Sequence, residues 1–300
     1  MKKHTVCPVC LTPLPDPVME LRDHFLTGET FHLLKCKQCG CGVTDPWPEE
    51  EELKRYYRSM DYISHSASSK GLINKLYLGI RIVTLRQKYR LICRLSRRSR
   101  GAILDVGCGS GELLHLFSKK HWIVSGIETD EQTRLEAVRK YHLPVGDSRS
   151  LNEIRSGSCD VITLWHSLEH IARPSETLEQ LRRILTPGGI LLVAVPNHAS
   201  LDAMIYGPCW AAWDVPRHLF HFTYHAMETL MRQHHFRIIH TLPMKRDAYY
   251  ISLLSERYKH GRINYARALR NGWRSNRYAR KNNHTCSSMI YVLKPENAYF

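Results

Sequence analysis

The 300-residue chain contains no apolar run approaching the roughly eighteen residues that cross a bilayer, and Met1-Lys-Lys-His is not followed by the apolar stretch of a secretory leader. Both absences point to a cytoplasmic address. Acidic residues are scarce in two places: none occurs between Ile63 and Leu104, and only three follow residue 244. The formal net charge of +15 is therefore uneven, at +8 over residues 1–100, −2 over 101–244 and +9 over 245–300. A nearly neutral centre with basic flanks admits nucleic acid, an anionic membrane surface, an acidic substrate or plain solvation as the reason. A disulfide framework is also missing, because Cys93, Cys108, Cys159, Cys209 and Cys286 are scattered without a pattern. What remains, 43% hydrophobic and 24% charged, is the composition of a soluble protein with room for one full α/β domain plus additions.

The other cysteines are grouped. Cys7-Pro-Val-Cys10 and Cys36-Lys-Gln-Cys39 are two Cys-x-x-Cys pairs, 25 residues apart, with Cys41 as a spare. Each pair on a tight knuckle aims two thiolates at one point, and four thiolates close the tetrahedral shell of Zn²⁺ with no open position. Such a site holds structure rather than performing chemistry, and a segment this small needs a staple. A redox role for a single Cys-x-x-Cys fits two pairs poorly. Prolines at Pro46 and Pro48 close this segment, which is read as residues 1–48.

The chain is organised around Ala102-Ile-Leu-Asp-Val-Gly-Cys-Gly-Ser-Gly-Glu-Leu-Leu114. An apolar strand runs into a glycine-rich turn and then into helical apolar spacing, so Gly107, Gly109 and Gly111 lie at a strand-to-helix crossing. Glycines there accept positive φ and let a ligand approach backbone, and the following helix offers free N–H donors. The spacing Asp-x-Gly-x-Gly-x-Gly departs from the dinucleotide pattern by one residue and by its leading acid, which suits a ligand with a cationic amino group rather than a pyrophosphate. Ile123-Val-Ser-Gly-Ile-Glu-Thr129 reads as a second strand ending in an acid about twenty residues on, where a carboxylate accepts from ribose hydroxyls; Glu128 is that residue. Asp130 beside it reads as a helix cap. Further strands are expected at Cys159–Trp165, after Pro187-Gly-Gly, and at Phe236–Leu242, with a last, antiparallel one at Ser288–Leu293.

The glycine segment resembles the first motif of class I S-adenosylmethionine-dependent methyltransferases, and the ordered strands after it agree. The resemblance implies a doubly wound α/β fold, Rossmann-like, with a seven-stranded mostly parallel sheet and here a small N-terminal zinc knuckle. It implies that Gly107, Cys108, Gly109 and Gly111 line S-adenosylmethionine, that Asp105 lies near its methionine portion, and that Asp147 with Ser148 faces the adenine. His166, in Trp165-His-Ser-Leu-Glu-His-Ile171, falls in the segment such enzymes place beside the cofactor. That segment also spells His-x-x-Glu-His, a zinc-protease pattern, but it directly follows a sheet strand where a protease needs a helix. Some ubiquinone-pathway O-methyltransferases, which the stretch is similar to, hold a metal with Glu-x-x-Glu-His; here His166 replaces the first Glu, beside Glu169 and His170.

Residues 49–100 read as a helical linker that covers the cleft, with Ser64–Gly71 flexible in composition and a basic amphipathic helix from Leu72 to Leu95. Residues 101–300 form the methyltransferase domain, interrupted at 245–286 by two basic helices. After the fifth strand, Asn197–Thr223 is too long for a simple connection and carries Trp210, Trp213, Asp214, Arg217, His218 and His221. Long loops at the carboxyl ends of strands build substrate pockets in open sheets. His218 and His221 are candidate general bases for an acceptor that must lose a proton, with Asp214 as orienter. The whole pattern looks like bacterial small-molecule methyltransferases with an N-terminal zinc-binding domain, including enzymes of sugar and polysaccharide pathways. The basic flanks, and Arg residues interleaved with Trp273 and Tyr278, keep an rRNA base methyltransferase as the alternative, though no RNA-binding module spelling accompanies them. A non-catalytic zinc-ribbon adaptor is the third reading, and the intact Asp105, glycine loop and Glu128 oppose it.

Overall fold

The computed structural model describes residues 4–57 and 72–296. The linker expected at Ser64–Gly71 lies outside the described residues, as do the side chains of the first part of the helix that follows.

The chain begins with a ribbon of three short strands, β1 (Met19–Arg22), β2 (Thr30–Lys35) and β3 (Gly42–Asp45), paired antiparallel in that order. Helix α1 (Glu50–Tyr57) and the long α2 (Leu72–Ser96) lead to the central sheet. Then come β4 (Ala102–Val106), α3 (Glu112–Ser118), β5 (Ile123–Ile127), α4 (Glu131–Tyr141), the two-residue β6 (Val145–Gly146) and β7 (Cys159–Trp165). They are followed by α5 (Pro174–Ile184), β8 (Leu185–Pro196), the short α6 (Leu201–Tyr206), β9 (Phe220–His221), α7 (Tyr224–Gln233) and β10 (Phe236–Pro243). Two helices, α8 (Asp247–His260) and α9 (Tyr265–Lys281), precede the final β11 (Ser288–Pro295).

Seven strands form one sheet in the order β10-β11-β8-β7-β4-β5-β6, parallel except where β11 lies antiparallel between β8 and β10. Strand order reverses beside β4, so the crevice outside the carboxyl ends of β4, β5 and β7 is where such a sheet binds ligands. The strands alternate between two cores. Leu191, Val193 and Val195 of β8 face a cluster with Leu178, Leu181 and Ile184 of α5 and Met227 and Leu230 of α7. Ile190, Leu192 and Ala194 face the opposite cluster with Ile92 of α2 and Leu114 and Phe117 of α3. Helices cover both faces, which is why β8 reads as a continuous apolar run rather than an alternation.

The ribbon is not free-standing. Its sheet takes a fourth strand from far along the chain, with Gly42 and Val43 of β3 paired to His221 and Phe220 of β9. Cys7, Cys36, Cys39 and Val43 share a buried cluster with Leu219, Phe220 and the central sheet. The loop after β8 is thereby clamped between the two sheets. Asp130 caps α4 by accepting from Thr133 N at 2.8 Å, as its position suggested. Among the described residues no helix is long and apolar enough to cross a membrane.

Candidate functional site

The glycine turn after β4 is shaped from both sides. Gly107 has φ +74°, and a Cβ there would lie 2.3 Å from Ser167 Oγ. A Cβ on Gly109, at φ +54°, would meet nothing within 4 Å. The turn packs internally at Gly107 and opens outward at Gly109, the shape of a cradle for a ligand lying against backbone. Glu128, at the end of β5, is mostly buried and pins this turn: its carboxylate accepts from Gly109 N at 2.8 Å and from Asp130 N at 3.0 Å. Burial holds its carboxyl above the ordinary glutamate range. Cys108 is half-buried, its Sγ beside Gly126 of the next strand, and burial pushes its thiol up.

Asp105 is buried at the end of β4 and accepts a 2.5 Å hydrogen bond from Thr163 Oγ1 of β7. Burial raises its pKa to about 6, against the pull of the Thr163 hydroxyl and the Lys88 ammonium. Lys88 descends from α2 and places Nζ 4.2 Å from the centre of the Trp165 ring, and burial lowers its pKa. Neither Thr163 nor Lys88 carries a motif: one is an interior strand position and the other a cation among many on a basic helix. Asp147 caps a short 3₁₀ turn that begins at Ser148, its side chain accepting from Arg149 N at 3.0 Å and Ser150 N at 3.2 Å. Its oxygen is thus engaged within its own turn.

The segment after β7 does not continue as an α-helical turn. His166 sits at φ +54°, and a 3₁₀ turn follows at Leu168–His170. The His166 ring swings between two carboxylates, Nδ1 3.4 Å from Glu169 Oε1 and Nε2 3.3 Å from Asp247 Oδ2 on α8. Those carboxylates outweigh burial and raise its pKa to about 9. The grouping of His166, Glu169 and His170 around one ion is therefore not what forms. Instead, one ligand atom each from Glu169, His170 and His218 lie within 4.8 Å of one another. Glu169 is completely buried, and among the described residues no hydrogen bond reaches either of its oxygens.

His218 and Asp214 come from the long loop after β8. The His218 ring donates through Nδ1 to Ala212 O at 2.9 Å, which leaves a lone pair on Nε2, 4.0 Å from Glu169 Oε1 and 3.9 Å from Asp214 Oδ2. Desolvation lowers its pKa to about 4, so it is neutral at pH 7. His170 likewise uses Nδ1, toward Arg217 O at 2.9 Å with the Tyr57 hydroxyl at 3.0 Å. Asp214 also binds Arg217 at 2.7 Å, and Arg217, almost fully buried, reaches Asp23 of the ribbon at 2.8 Å. That ion pair, which no sequence pattern announces, fixes the loop to the N-terminal segment. His221 is placed apart from this group. It lies in β9, its Nε2 2.9 Å from Thr44 Oγ1 and its ring 4.9 Å from that of Trp213. Thr44 already donates its proton to His218 O, so His221 is the donor to it, and its ring is spent in joining β9 to β3 within the four-stranded sheet.

The four expected zinc ligands converge. Cys7 Sγ is 3.6 Å from Cys39 Sγ, and Cys10 Sγ 3.3 Å from Cys36 Sγ. Sulfurs about 2.3 Å from a tetrahedral zinc are separated by about 3.8 Å, whereas a disulfide needs about 2.05 Å, so the set fits an ion and not a bridge. The knuckles repeat each other. Cys7 N donates to Thr12 O and Leu11 N to Cys7 O, and Cys36 N donates to Cys41 O and Gly40 N to Cys36 O. Cys41 is buried with Sγ directed to Gly42 O, outside the four.

Known proteins share the fold. A family model described as "Methyltransferase domain" matches residues 81–241, more than half of the chain. A ubiquinone biosynthesis O-methyltransferase of Psychrobacter arcticus is 30% identical over 107 residues, 32% of this chain and 40% of that protein. A probable S-adenosylmethionine-dependent methyltransferase of Mycolicibacterium smegmatis is 31% identical over 114 residues, covering 36% of this chain and 44% of its own length. The chain thus matches less than half the length of these curated relatives. Among solved structures, the [4+2]-cyclase SpnF superposes with a TM-score of 0.53 at 17% identity, covering 84% of this chain and 98% of that one. Phosphoethanolamine N-methyltransferase 2 of Haemonchus contortus, solved with S-adenosyl-L-methionine, superposes at 0.50 with 16% identity, over 71% of this chain and 53% of that one. The ordered seven-stranded sheet, the glycine cradle with its two acids and the match over residues 81–241 place this chain in the methyltransferase domain family.

Proposed function

We propose that the protein is an enzyme that transfers a methyl group from S-adenosylmethionine to a small hydroxylated acceptor, with His218 receiving the acceptor's proton. The observation that carries this is the packing of the glycine turn after β4 against the segment after β7, where a Cβ on Gly107 would strike Ser167 Oγ, so that two half-sites lie at the carboxyl ends of these strands. One is the open cradle of Gly109 with Glu128 and Asp105. The other is the set Glu169, His170 and His218, of which Glu169 and His218 are buried and His170 half-buried. The curated relatives of matching sequence include O-methyltransferases of ubiquinone biosynthesis. An acceptor of the phenol or sugar class offers the hydroxyl such a set needs.

S-adenosylmethionine, when bound, supplies a methyl group on a sulfonium, which is already an activated leaving group. What this chain adds is binding, orientation and proton handling. The carboxylate of Glu128 suits ribose hydroxyls, and Asp105, once ionised, suits the amino group of the methionine portion. The surrounding side chains, among them half-buried Tyr57 and buried Trp213, exclude water and fix the acceptor, from which most of the acceleration comes. His218 presents its Nε2 lone pair, and the proton it takes is stabilised by Glu169 and Asp214, each about 4 Å away. The unpartnered oxygens of Glu169 suit an acceptor hydroxyl or a divalent ion that holds one; loss of turnover with a chelator, restored by Mg²⁺ or Mn²⁺, distinguishes the ion. Enclosure of Glu169 and His218 favours a small acceptor over a base presented by RNA. The four N-terminal cysteines are proposed to hold a structural zinc ion.

Because one similar fold belongs to a [4+2]-cyclase, the architecture alone does not assign methyl transfer. Incubation with S-adenosylmethionine and a panel of catechols, phenols and sugar nucleotides tests it. The proposal expects S-adenosylhomocysteine and a methylated product in equal amounts. Product formed with the cofactor left intact would assign a different reaction.

A further inference from the structure

Helix α9 is inverted. Its buried residues are small or polar, Ala268, Asn271, Gly272, Ser275 and Asn276. Most of their polar atoms are paired internally: Ser275 Oγ donates to Asp202 at 2.6 Å, Asn271 to the Tyr206 hydroxyl at 3.1 Å and Asn276 Nδ2 to Lys245 O at 2.8 Å. Gly272 lies so near α8 that a Cβ would stand 2.7 Å from the Tyr249 ring. The large apolar residues are left outside. Tyr265, Leu269 and Trp273 are 66%, 52% and 52% exposed, although each could have filled a core. They are spaced four residues apart, so they form one seam about 12 Å long on one face of the helix.

Cations frame that seam. Arg270, Arg274, Arg277 and Arg280 are exposed on the same helix, and no acid occurs from Arg257 to Pro295. Apolar and aromatic side chains flanked only by arginine match the chemistry of an anionic lipid interface, where aromatic and leucine side chains enter the acyl boundary and guanidinium groups meet phosphates. A second copy of the chain fits worse, because a self-complementary contact would set arginine against arginine with no acid on α9 to relieve it. Single-stranded nucleic acid would use the charge and the rings but has no use for Leu269, which offers no stacking face.

We propose that the seam Tyr265-Leu269-Trp273 with its arginines docks this protein peripherally on anionic lipid. This does not depend on the reaction proposed above. The test is co-sedimentation of the full chain, zinc-replete, with vesicles of phosphatidylcholine alone or mixed with phosphatidylglycerol. Binding is expected to the mixed vesicles, weak binding to phosphatidylcholine, and release by high salt. Leu269→Glu with Trp273→Glu is expected to weaken partitioning by at least about tenfold, and Arg270→Gln with Arg274→Gln by about fivefold per cation removed. Leu135→Glu, at an exposed apolar residue of α4, is expected to change nothing. Circular dichroism and melting temperature confirm that each variant is folded. The proposal is overturned by absence of binding to the anionic vesicles or by binding indifferent to the seam. It is also overturned if the seam substitutions instead dissolve a dimer or abolish RNA binding without a lipid effect.

Discussion

Asp105 carries the clearest cost. Its pKa of about 6 in the folded protein lies above the 3.8 of an unperturbed aspartate, so folding favours its protonated form. Its contribution to stability is therefore greatest below about pH 4 and declines as pH rises through about 6. Asp105→Asn keeps a partner for Thr163 and removes the buried charge. It is expected to stabilise the unliganded protein at pH 7 by about 1–3 kcal/mol in chemical denaturation, while weakening S-adenosylmethionine binding at least tenfold. In the unsubstituted protein, affinity should rise between pH 5 and pH 7 as Asp105 ionises. His218→Gln tests the other half-site: methyl transfer should fall about 10²–10⁴-fold with cofactor affinity unchanged. Some of these residues were legible in sequence and others were not. Asp105 and Glu128 end strands beside a glycine turn, a signature made within one short stretch. Lys88, Thr163 and Asp247 reach the same place from separate elements, and no local spacing encodes a contact made through the fold. His166 was legible as a position but not in its orientation, because its positive φ and its pairing with Asp247 depend on α8.

The N-terminal ribbon and the loop after β8 behave as one element. β3 pairs with β9, Thr44 bonds both His218 O and His221, and Arg217 joins Asp214 to Asp23. Losing the four-cysteine cluster, or the zinc ion proposed for it, should therefore disturb the site containing His218 as well as the ribbon. Cys36→Ser, or removal of zinc by a strong chelator, is expected to lower the melting temperature by several degrees and to reduce turnover more than it reduces cofactor affinity. A ribbon that melted independently, with turnover intact, would contradict the coupling. The cysteine spacing announced the four-thiol cluster, since a knuckle is local. It could not announce that the ribbon's fourth strand is residues 220–221, a pairing of two residues across about 180 positions of chain. The sheet strands themselves were legible because β7 and β8 are covered on both faces and read as unbroken apolar runs.

At the scale of the molecule, charge divides the labour. The centre, nearly neutral, encloses acidic and imidazole groups, whereas the basic flanks lie in α2 and in the two-helix insertion α8–α9. The insertion was recognisable as an interruption of the last hairpin, yet its composition hid its polarity, because the side it buries is the polar one. The central claim is that the Gly107–Gly111 cradle with Glu128 binds S-adenosylmethionine. Calorimetric titration of the zinc-replete protein with S-adenosylmethionine and with S-adenosylhomocysteine, beside Glu128→Ala, tests it most directly. The account predicts micromolar binding of both ligands and its loss in the variant, with the variant still folded. Absence of binding to either ligand, or undiminished binding in Glu128→Ala, would contradict it.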